Sequence, residues 1–244
     1  MTKVLKILTE YCAQYVDDLN LMELVSDNPP LFARRMYNYF PAAIAKFKMP
    51  PEMQEYLLGT KSNPKFIESQ YSDYQFTANE DIVQDYIISL GEDYLGFELF
   101  SAHIRVSDAV GNVSFVPTSA SYNAETATIT IPATAENPIK AGTVFDFDFY
   151  TDGYFTEDLS VEIMDILGMC FQVVWHNRFS EDWLSMVSKV EDKSFSEQNR
   201  ANKINADTAR LRELRTQLNA AMRQYAENQY YKKIVPLSRR LNNL

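Results

Sequence analysis

The stretch from Gly142 to Gly153 constrains the fold of this chain more than any other. Val144, Phe145, Asp146, Phe147, Asp148, Phe149 and Tyr150 alternate aromatic with acid. A period of two puts one face of a strand in a core and the other toward water. Asp152-Gly153 then forms a turn pair, and Thr156 is placed to cap a helix with Glu157 and Asp158 in its first turn. Sequence upstream of this junction reads as β, and almost everything downstream reads as helix.

The downstream helix carries Leu159, Ile163, Ile166, Cys170, Val173 and Val174 on one stripe, which Met169 and Trp175 broaden. Such a helix is buried on much of its surface. Ser180-Glu181-Asp182 opens a further short helix through Trp183, Met186, Val187 and Val190. The last pattern places Leu211, Leu214, Leu218, Ala221 and Tyr225 at alternating spacings of three and four. That seam falls short of the roughly three or four heptads of a coiled coil. Asn205 or Asp207 is placed to cap this helix, and Pro236 to end it.

At the other end, Val4, Leu5, Leu8, Cys12, Tyr15, Val16 and Leu19 recur at helical spacing, which predicts a helix over 3–24. Ser26-Asp27-Asn28-Pro29-Pro30 stops it and starts the next. Short helices are expected at Leu31–Phe40, Pro41–Lys48 and Pro51–Leu58, the last closed by Gly59. Residues 60–80 are rich in Tyr and Asn without a steady period and read as loop and extended chain.

Near residue 80 the punctuation changes, and glycines at 91, 96, 111, 142 and 153 separate short runs. Strands are expected at Val83–Leu90, Tyr94–Val106, Val113–Val116, Thr126–Ile131 and Thr143–Thr151, spaced as in a small sandwich or barrel. Gly111-Asn112 marks a hairpin tip between Val106 and Val113. In the second strand Phe97 and Leu99 share one face, and then Phe100, Ala102, Ile104 and Val106 share the other. That phase slip predicts a β-bulge near Leu99–Phe100. Pro132 and Pro138 mark edges or loops. The expected fold is α+β. A helical segment at 1–79 packs on another at 156–244, with an antiparallel sandwich or barrel module at 80–155 between them.

The function classes narrow mostly by exclusion. The chain has 244 residues, 46% of them hydrophobic, and so can bury a sizeable core. It has no apolar run of roughly 18 residues for a membrane span, and its N-terminus meets polar residues before a signal-peptide core forms. The expectation is a soluble, unsecreted protein. Cys12 and Cys170 define neither a metal spacing nor a disulfide framework. There is no G-x-S-x-G, no Gly-rich phosphate loop and no H-E-x-x-H. The two histidines, His103 and His176, read as structural or solvated. Asp146, Asp148, Asp152, Glu157 and Asp158 raise a calcium reading, but Asp148-x-x-x-Asp152-Gly153 does not have EF-hand spacing. A solvated strand face with acids near a helix start accounts for them. No carboxylate pair stands out for hydrolysis. No enzyme activity, cofactor or metal is expected.

Charge is unevenly spread along the chain. Residues 80–160 hold 14 Asp or Glu against Arg105 and Lys140, a net of −12. Residues 200–244 hold 10 Lys or Arg against Asp207, Glu213 and Glu227, a net of +7. The basic segment includes Arg210, Arg212, Arg215, Arg223, Lys232, Lys233, Arg239 and Arg240. Asymmetry of this kind marks an interaction arm or a solvated helix. The candidate interface pairs the seam Leu211, Leu214, Leu218 and Tyr225 with the cations Arg210, Arg212, Arg215 and Arg223. The seam would pack on the body and the arginines would meet acidic neighbours or DNA phosphates.

Asp148-Phe149-Tyr150-Thr151-Asp152-Gly153-Tyr154-Phe155-Thr156-Glu157-Asp158-Leu159, a helix through Val174-Trp175 and then a basic Arg/Asn/Tyr-rich helix resemble structural proteins of tailed phages. More narrowly, the chain is similar to neck or ring proteins of crAss-like podoviruses that infect Bacteroidetes. The order of parts also resembles head-to-tail adaptors that ring the portal. The resemblance rests on texture and element order across most of the chain, without a diagnostic motif. It implies a virion structural protein in the neck or tail, present in the host cytoplasm during assembly. It further implies a homo-oligomeric ring, a dodecamer, that joins portal to tail and lines the DNA channel, with no membrane partner. The other reading is a binding module whose β part recognises a receptor or glycan.

Overall fold

Helix begins at Val4, behind a two-residue strand, but not as one continuous segment. The computed structural model describes the backbone of residues 1–107, 112–187 and 197–241 and the side chains of 1–107, 112–178, 205–230 and 232. After β1 (Thr2–Lys3) and α1 (Val4–Lys6), residues Ile7–Cys12 wind as a π-helix, closed by the Ala13 N–H on the Leu8 carbonyl. The backbone is extended at Val16 and Asp18. The helix expected over 3–24 is therefore broken. The cause is Asp18, whose carboxylate accepts from the Asn20 and Leu21 N–H groups at 3.0 and 3.3 Å and starts α2 (Leu19–Asp27) afresh. The restart turns Leu19 out to 82% exposure and gives the buried position to Leu21.

Asn28 caps α3 (Pro29–Tyr37) through its side-chain oxygen on the Leu31 N–H, and α4 (Phe40–Ile44) and α5 (Met53–Leu58) follow. These helices are shorter than the sequence pattern predicts or shifted from it by a few residues. Gly59 closes α5 at φ +71°, in the left-handed region. A Cβ there would lie 2.3 Å from the Asn63 carbonyl. The close approach lets β2 (Gly59–Thr60) turn back on β3 (Asn63–Pro64) before β4 (Phe66–Ile67).

The chain divides into two units, Met1–Ile67 with Tyr154–Leu244, and Glu68–Gly153. The second unit holds β5 (Gln70–Thr77), β6 (Tyr86–Ser89), β7 (Glu98–Ser107), β8 (Val113–Pro117), β9 (Ser121–Asn123), β10 (Thr128–Ile131) and β11 (Val144–Thr151). They form two antiparallel sheets, ordered β5-β11-β7-β8 and β6-β10-β9. Phe145, Phe147 and Phe149 of β11 share one core with Ile88, Ile129 and Ile131 of the smaller sheet. The arrangement is a sandwich, and neither sheet closes into a barrel.

Two strands of this unit are absent from the sequence reading. β5 is a paired strand within the 60–80 stretch that reads as loop and extended chain, and the β unit starts at Glu68 and not at 80. Its core face is Ser72, Tyr74 and Phe76, opposite the three phenylalanines of β11. A serine inside and Tyr71 outside blur the alternation. β9 is three residues long and too short to show a period.

The predicted bulge is present. Asp148 pairs with Ser101 and Phe149 with Leu99, which leaves Phe100 as the extra residue. The bulge carries Leu99, Ala102 and Ile104 onto the same core. Phe100 does not share a face with Ala102 and Ile104 as its sequence phase predicts; it packs instead on Tyr150 and Tyr71, at 5.8 and 6.4 Å between ring centroids. β7 and β8 pair up to Ser107 and Val113 as a hairpin, and Gly111 lies outside the described residues.

The chain re-enters the first unit as β12 (Tyr154–Phe155), which lies between β1 and β4. This pairing keeps the backbone extended, so Thr156 does not cap a helix; its N–H goes to the Lys65 carbonyl. α6 (Val161–Val187) starts behind Ser160, whose hydroxyl accepts from the Ile163 N–H at 3.4 Å. α6 runs through residues 180–182, where a new helix was expected, while Val190 lies outside the described residues. α7 spans Glu197–Leu241, so Asn205 and Asp207 lie inside it and cap nothing. Its backbone also continues past Pro236, forfeiting one hydrogen bond where the sequence predicts a stop.

α6 organises this unit. Ile163, Leu167, Cys170, Phe171 and Trp175 pack against Ile7, Leu8, Cys12, Phe32 and Phe40. Gly168 allows the close approach of the π-helix, since a Cβ at this position would lie 2.5 Å from the Tyr11 carbonyl oxygen.

Candidate interaction surfaces

α7 packs on α6 along one face. Leu211, Leu214 and Leu218 are 8%, 8% and 4% exposed, and Met222 and Tyr225 complete the seam at 3% and 8%. Tyr225 sets its ring edge-on to Phe47, with centroids 6.0 Å apart. Burial, with Tyr56 and Glu162 nearby, pushes the Tyr225 phenol up from its usual value. The seam of the candidate interface therefore belongs to the chain's own core. Met222, which the spacing argument did not name, is part of it.

The arginines take the other positions. Arg210, Arg212, Arg215 and Arg223 are all exposed. At 3.6 residues per turn, positions 219, 223 and 230 fall within roughly 20° of position 212, and 215 lies about 60° to one side of it. Arg212, Arg215, Asn219, Arg223 and Tyr230 thus form one stripe on the helix, ending at a tyrosine that is 65% exposed. Glu213 lies off this stripe and accepts from Gln217 at 3.2 Å. Among the described residues no ion pair joins Arg212, Arg215 or Arg223 to an acid. Arg210 is set apart, close enough to His176 to disfavour its protonation. The side chains of Lys233, Arg239 and Arg240 lie outside the described residues.

The acids of the calcium reading are dispersed. Asp146 and Asp148 do share the outer face of β11. Asp146, however, accepts from the Arg105 guanidinium at 2.9 and 3.1 Å and from Gln75 at 2.8 Å. Asp148 faces Asp73 across the strand pair. Glu157 bonds Lys65 at 3.0 Å, and Asp158 meets the Met1 ammonium at 2.8 Å, which holds the Asp158 carboxyl below its usual range. Among the described residues, no three His, Cys, Asp or Glu side chains are grouped to hold a metal ion.

The histidines and cysteines also lie apart. His103 sits on the outer face of β7, bonded to the Ser101 hydroxyl at 2.8 Å. His176 lies on α6, 4.0 Å from Asp17. Cys12 and Cys170 are fully buried free thiols. Burial raises both, Cys170 to about 12. An open cleft of 390 Å³ is lined by Pro50, Met53, Tyr56, Ser160, Ile163 and Tyr225 among others, a lining with no histidine or thiol.

A further surface lies on β8, where all five residues are exposed although two are valines and one is phenylalanine. By its spacing this strand reads as one more member of a sandwich or barrel. The signal that spacing passes over is charge, since positions 109 to 124 carry no Asp, Glu, Lys or Arg.

No family model, no curated protein and no solved structure matches this chain. None of the helices, among the described residues, is long and apolar enough to cross a membrane.

Proposed function

We propose that this chain is a structural subunit of a tailed-phage virion, a ring-forming connector that joins portal to tail and lines the DNA channel. The observation that carries the proposal is the division of α7 into two sides. Its apolar seam is used within the chain, and its stripe of Arg212, Arg215 and Arg223 is left exposed. The β unit, Glu68–Gly153, holds 14 acids against Arg105 and Lys140. In a homo-oligomeric ring each neighbour brings an acidic unit to a basic helix, and like charges elsewhere keep the assembly soluble. The resemblance to phage neck proteins supplies the context and the dodecameric expectation. The negative β unit would also keep DNA from adhering to the channel, while residual cations touch phosphates non-specifically.

The test is the native mass of the purified chain, alone and with its portal. The expected result is a closed oligomer that binds the portal. Reversal of Arg212, Arg215 and Arg223 to Glu should weaken it, and salt should mimic the reversal, because exposed charges are screened beyond ~10 Å at 0.1 M. If assembly survives reversal while DNA retention falls, the stripe serves DNA. A chain that stays monomeric at every salt concentration, with portal present, overturns the connector. The receptor- or glycan-binding reading draws on exposed aromatics in the β unit. Tyr86 and Phe115 qualify, but they lie on different sheets and make no shared platform for a sugar ring.

A further inference from the structure

The two edges of the four-stranded sheet are finished differently. β5 carries Asp73, and the Tyr94 hydroxyl donates to the Asp73 carbonyl at 3.2 Å, covering that edge. Charge and cover of this kind are how sheets protect an edge from pairing with another chain. β8, the opposite edge, has neither among the described residues. Val113, Phe115 and Val116 are 51%, 55% and 48% exposed, and Val106 beside them on β7 is 44% exposed. Scattered apolar side chains are ordinary on a surface, but exposed apolar pairs on both faces of one edge strand are not.

The backbone phase of β8 follows from one bond. The Thr118 N–H donates to the Ala102 carbonyl at 3.0 Å, so these two form a hydrogen-bonded pair. Antiparallel pairs alternate, and the register sets Val116 against Ile104 and Phe115 against Arg105. Val116 and Ser114 therefore turn their amides toward β7. The N–H and C=O groups of Val113 and Phe115, and the Pro117 carbonyl, face the open edge.

We propose that β8 pairs antiparallel with β8 of a second copy of this chain, centred on Phe115. In that register the two Phe115 residues exchange N–H···O=C bonds. Each Val113 N–H meets the Pro117 carbonyl of the other copy. Proline has no N–H to give, and in this arrangement its lack leaves only the Val113 carbonyls, at the strand ends, to water. Every outward donor of the strand is used. The side chains match as well: Val113 and Phe115 line one face of the joined strands, and Val116, with Val106 behind it, the other.

Charge selects the occupant. Two copies of a unit with 14 acids and two cations repel over most of their surface. At β8 they meet without setting acid against acid. The nearest cation is Arg105, which lies over the Phe115 ring at 5.9 Å and is already bonded to Asp146. A charged foreign strand finds no complement there, whereas an identical strand brings the same uncharged, apolar edge. The inference does not rest on the connector reading. A two-fold contact closes at the pair, while a cyclic ring needs a head-to-tail contact.

The test is disulfide trapping in the full chain, where Cys12 and Cys170 are buried. Across a hydrogen-bonded antiparallel pair the Cα atoms lie about 5.5 Å apart, inside the roughly 4.4–6.8 Å that a disulfide spans. Phe115→Cys should give a linked dimer on mild oxidation. Ser114→Cys should not, because residue 114 faces residue 116 of the other copy. Phe115→Lys should sediment as a species without the pair, with its far-UV circular dichroism unchanged. A native chain that sediments as a monomer at all accessible concentrations overturns the proposal. So does an oligomer in which Phe115→Cys fails to link, or in which Ser114→Cys links equally well. A ring without the Phe115 link would sustain the connector and sink this pairing, and a linked dimer that never forms a ring would do the reverse.

Discussion

Gly168 of α6 faces the carbonyl oxygen of Tyr11 at a separation that leaves no room for a side chain: an added Cβ would lie 2.5 Å from that oxygen and 3.1 Å from the Tyr15 ring. Tyr11 belongs to the π-helix, and Gln14 donates to the same carbonyl at 3.1 Å. Gly168→Ala brings two opposed effects. Alanine in a helix gains roughly 0.5–1 kcal/mol over glycine, whereas overpacking a filled core costs about 1–3 kcal/mol. The obstacle is backbone, which cannot rotate away, so the second effect should win. The urea midpoint of Gly168→Ala is expected below that of the native chain. An unchanged or higher midpoint would mean that the π-helix shifts freely.

The thiols make a second prediction. Cys12 and Cys170 are fully buried, and burial drives Cys170 up to about 12 and Cys12 upward as well. The thiolate is the nucleophile, and its fraction near neutral pH is then very small. An aromatic disulfide reagent should label neither thiol in the native chain on the timescale at which it labels both in urea. Rapid native labelling would show that the packing of α6 on the N-terminal turn opens.

What the sequence disclosed follows from where local and tertiary preferences agree. The alternation in β11 is legible because its inner phenylalanines fill one core while its acids stay outside. The bulge is legible because one residue out of phase has no other remedy in a paired strand. The break at Val16 is not, because the apolar period runs through it. Only the geometry of Asp18 on the Asn20 and Leu21 amides ends the helix there. Ser160 displaces Thr156 as the helix start for a tertiary reason, since Tyr154 and Phe155 are recruited between β1 and β4. The seam and the arginines of α7 are both visible in the sequence, the seam as the side that packs on the body and the cations as the side offered outward, because spacing fixes angle on a helix. The bare edge of β8 depends on strand order, which no local pattern encodes.

His176 should set a pH dependence near neutrality. Its side chain is 13% exposed, and burial first, then Arg210, hold its pKa below the ordinary 6.5. Asp17 at 4.0 Å and Asp207 oppose this without prevailing. The unfolded chain therefore binds the proton first as pH falls. Stability owed to neutral His176 is fully present above about 6.5 and is lost as pH drops from there toward the lowered folded value. The loss precedes that from Asp81 and Asp158, whose contributions are present above the ordinary carboxylate pKa of 3.8 and are lost only as pH falls below it. Denaturation midpoints should decline from pH 7.5 to 5.5 in the native chain and stay flatter in His176→Gln. Equal slopes would assign the decline to other groups.

The two sides of α7 should separate cleanly under mutation. Leu218 is 4% exposed and packs in the core that α6 organises. Leu218→Ala should cost about 2–5 kcal/mol, the transfer term plus the cavity it leaves. Arg223 is exposed on the opposite stripe, and among the described residues it has no ion-pair partner to lose. Arg223→Ala should then change stability by no more than about 0.5 kcal/mol, as surface substitutions do. Most of the helix is polar and its packed side is narrow, so its stability as part of the fold comes from that seam. Leu218→Ala should therefore raise proteolysis of the C-terminal half in proportion to its loss of stability, and Arg223→Ala should leave the digestion pattern unchanged. If Arg223→Ala destabilises the isolated chain as much as Leu218→Ala does, the stripe is part of the fold and is not held free for a partner. If both are neutral, α7 does not depend on the body for its structure, and the buried seam is not what holds it.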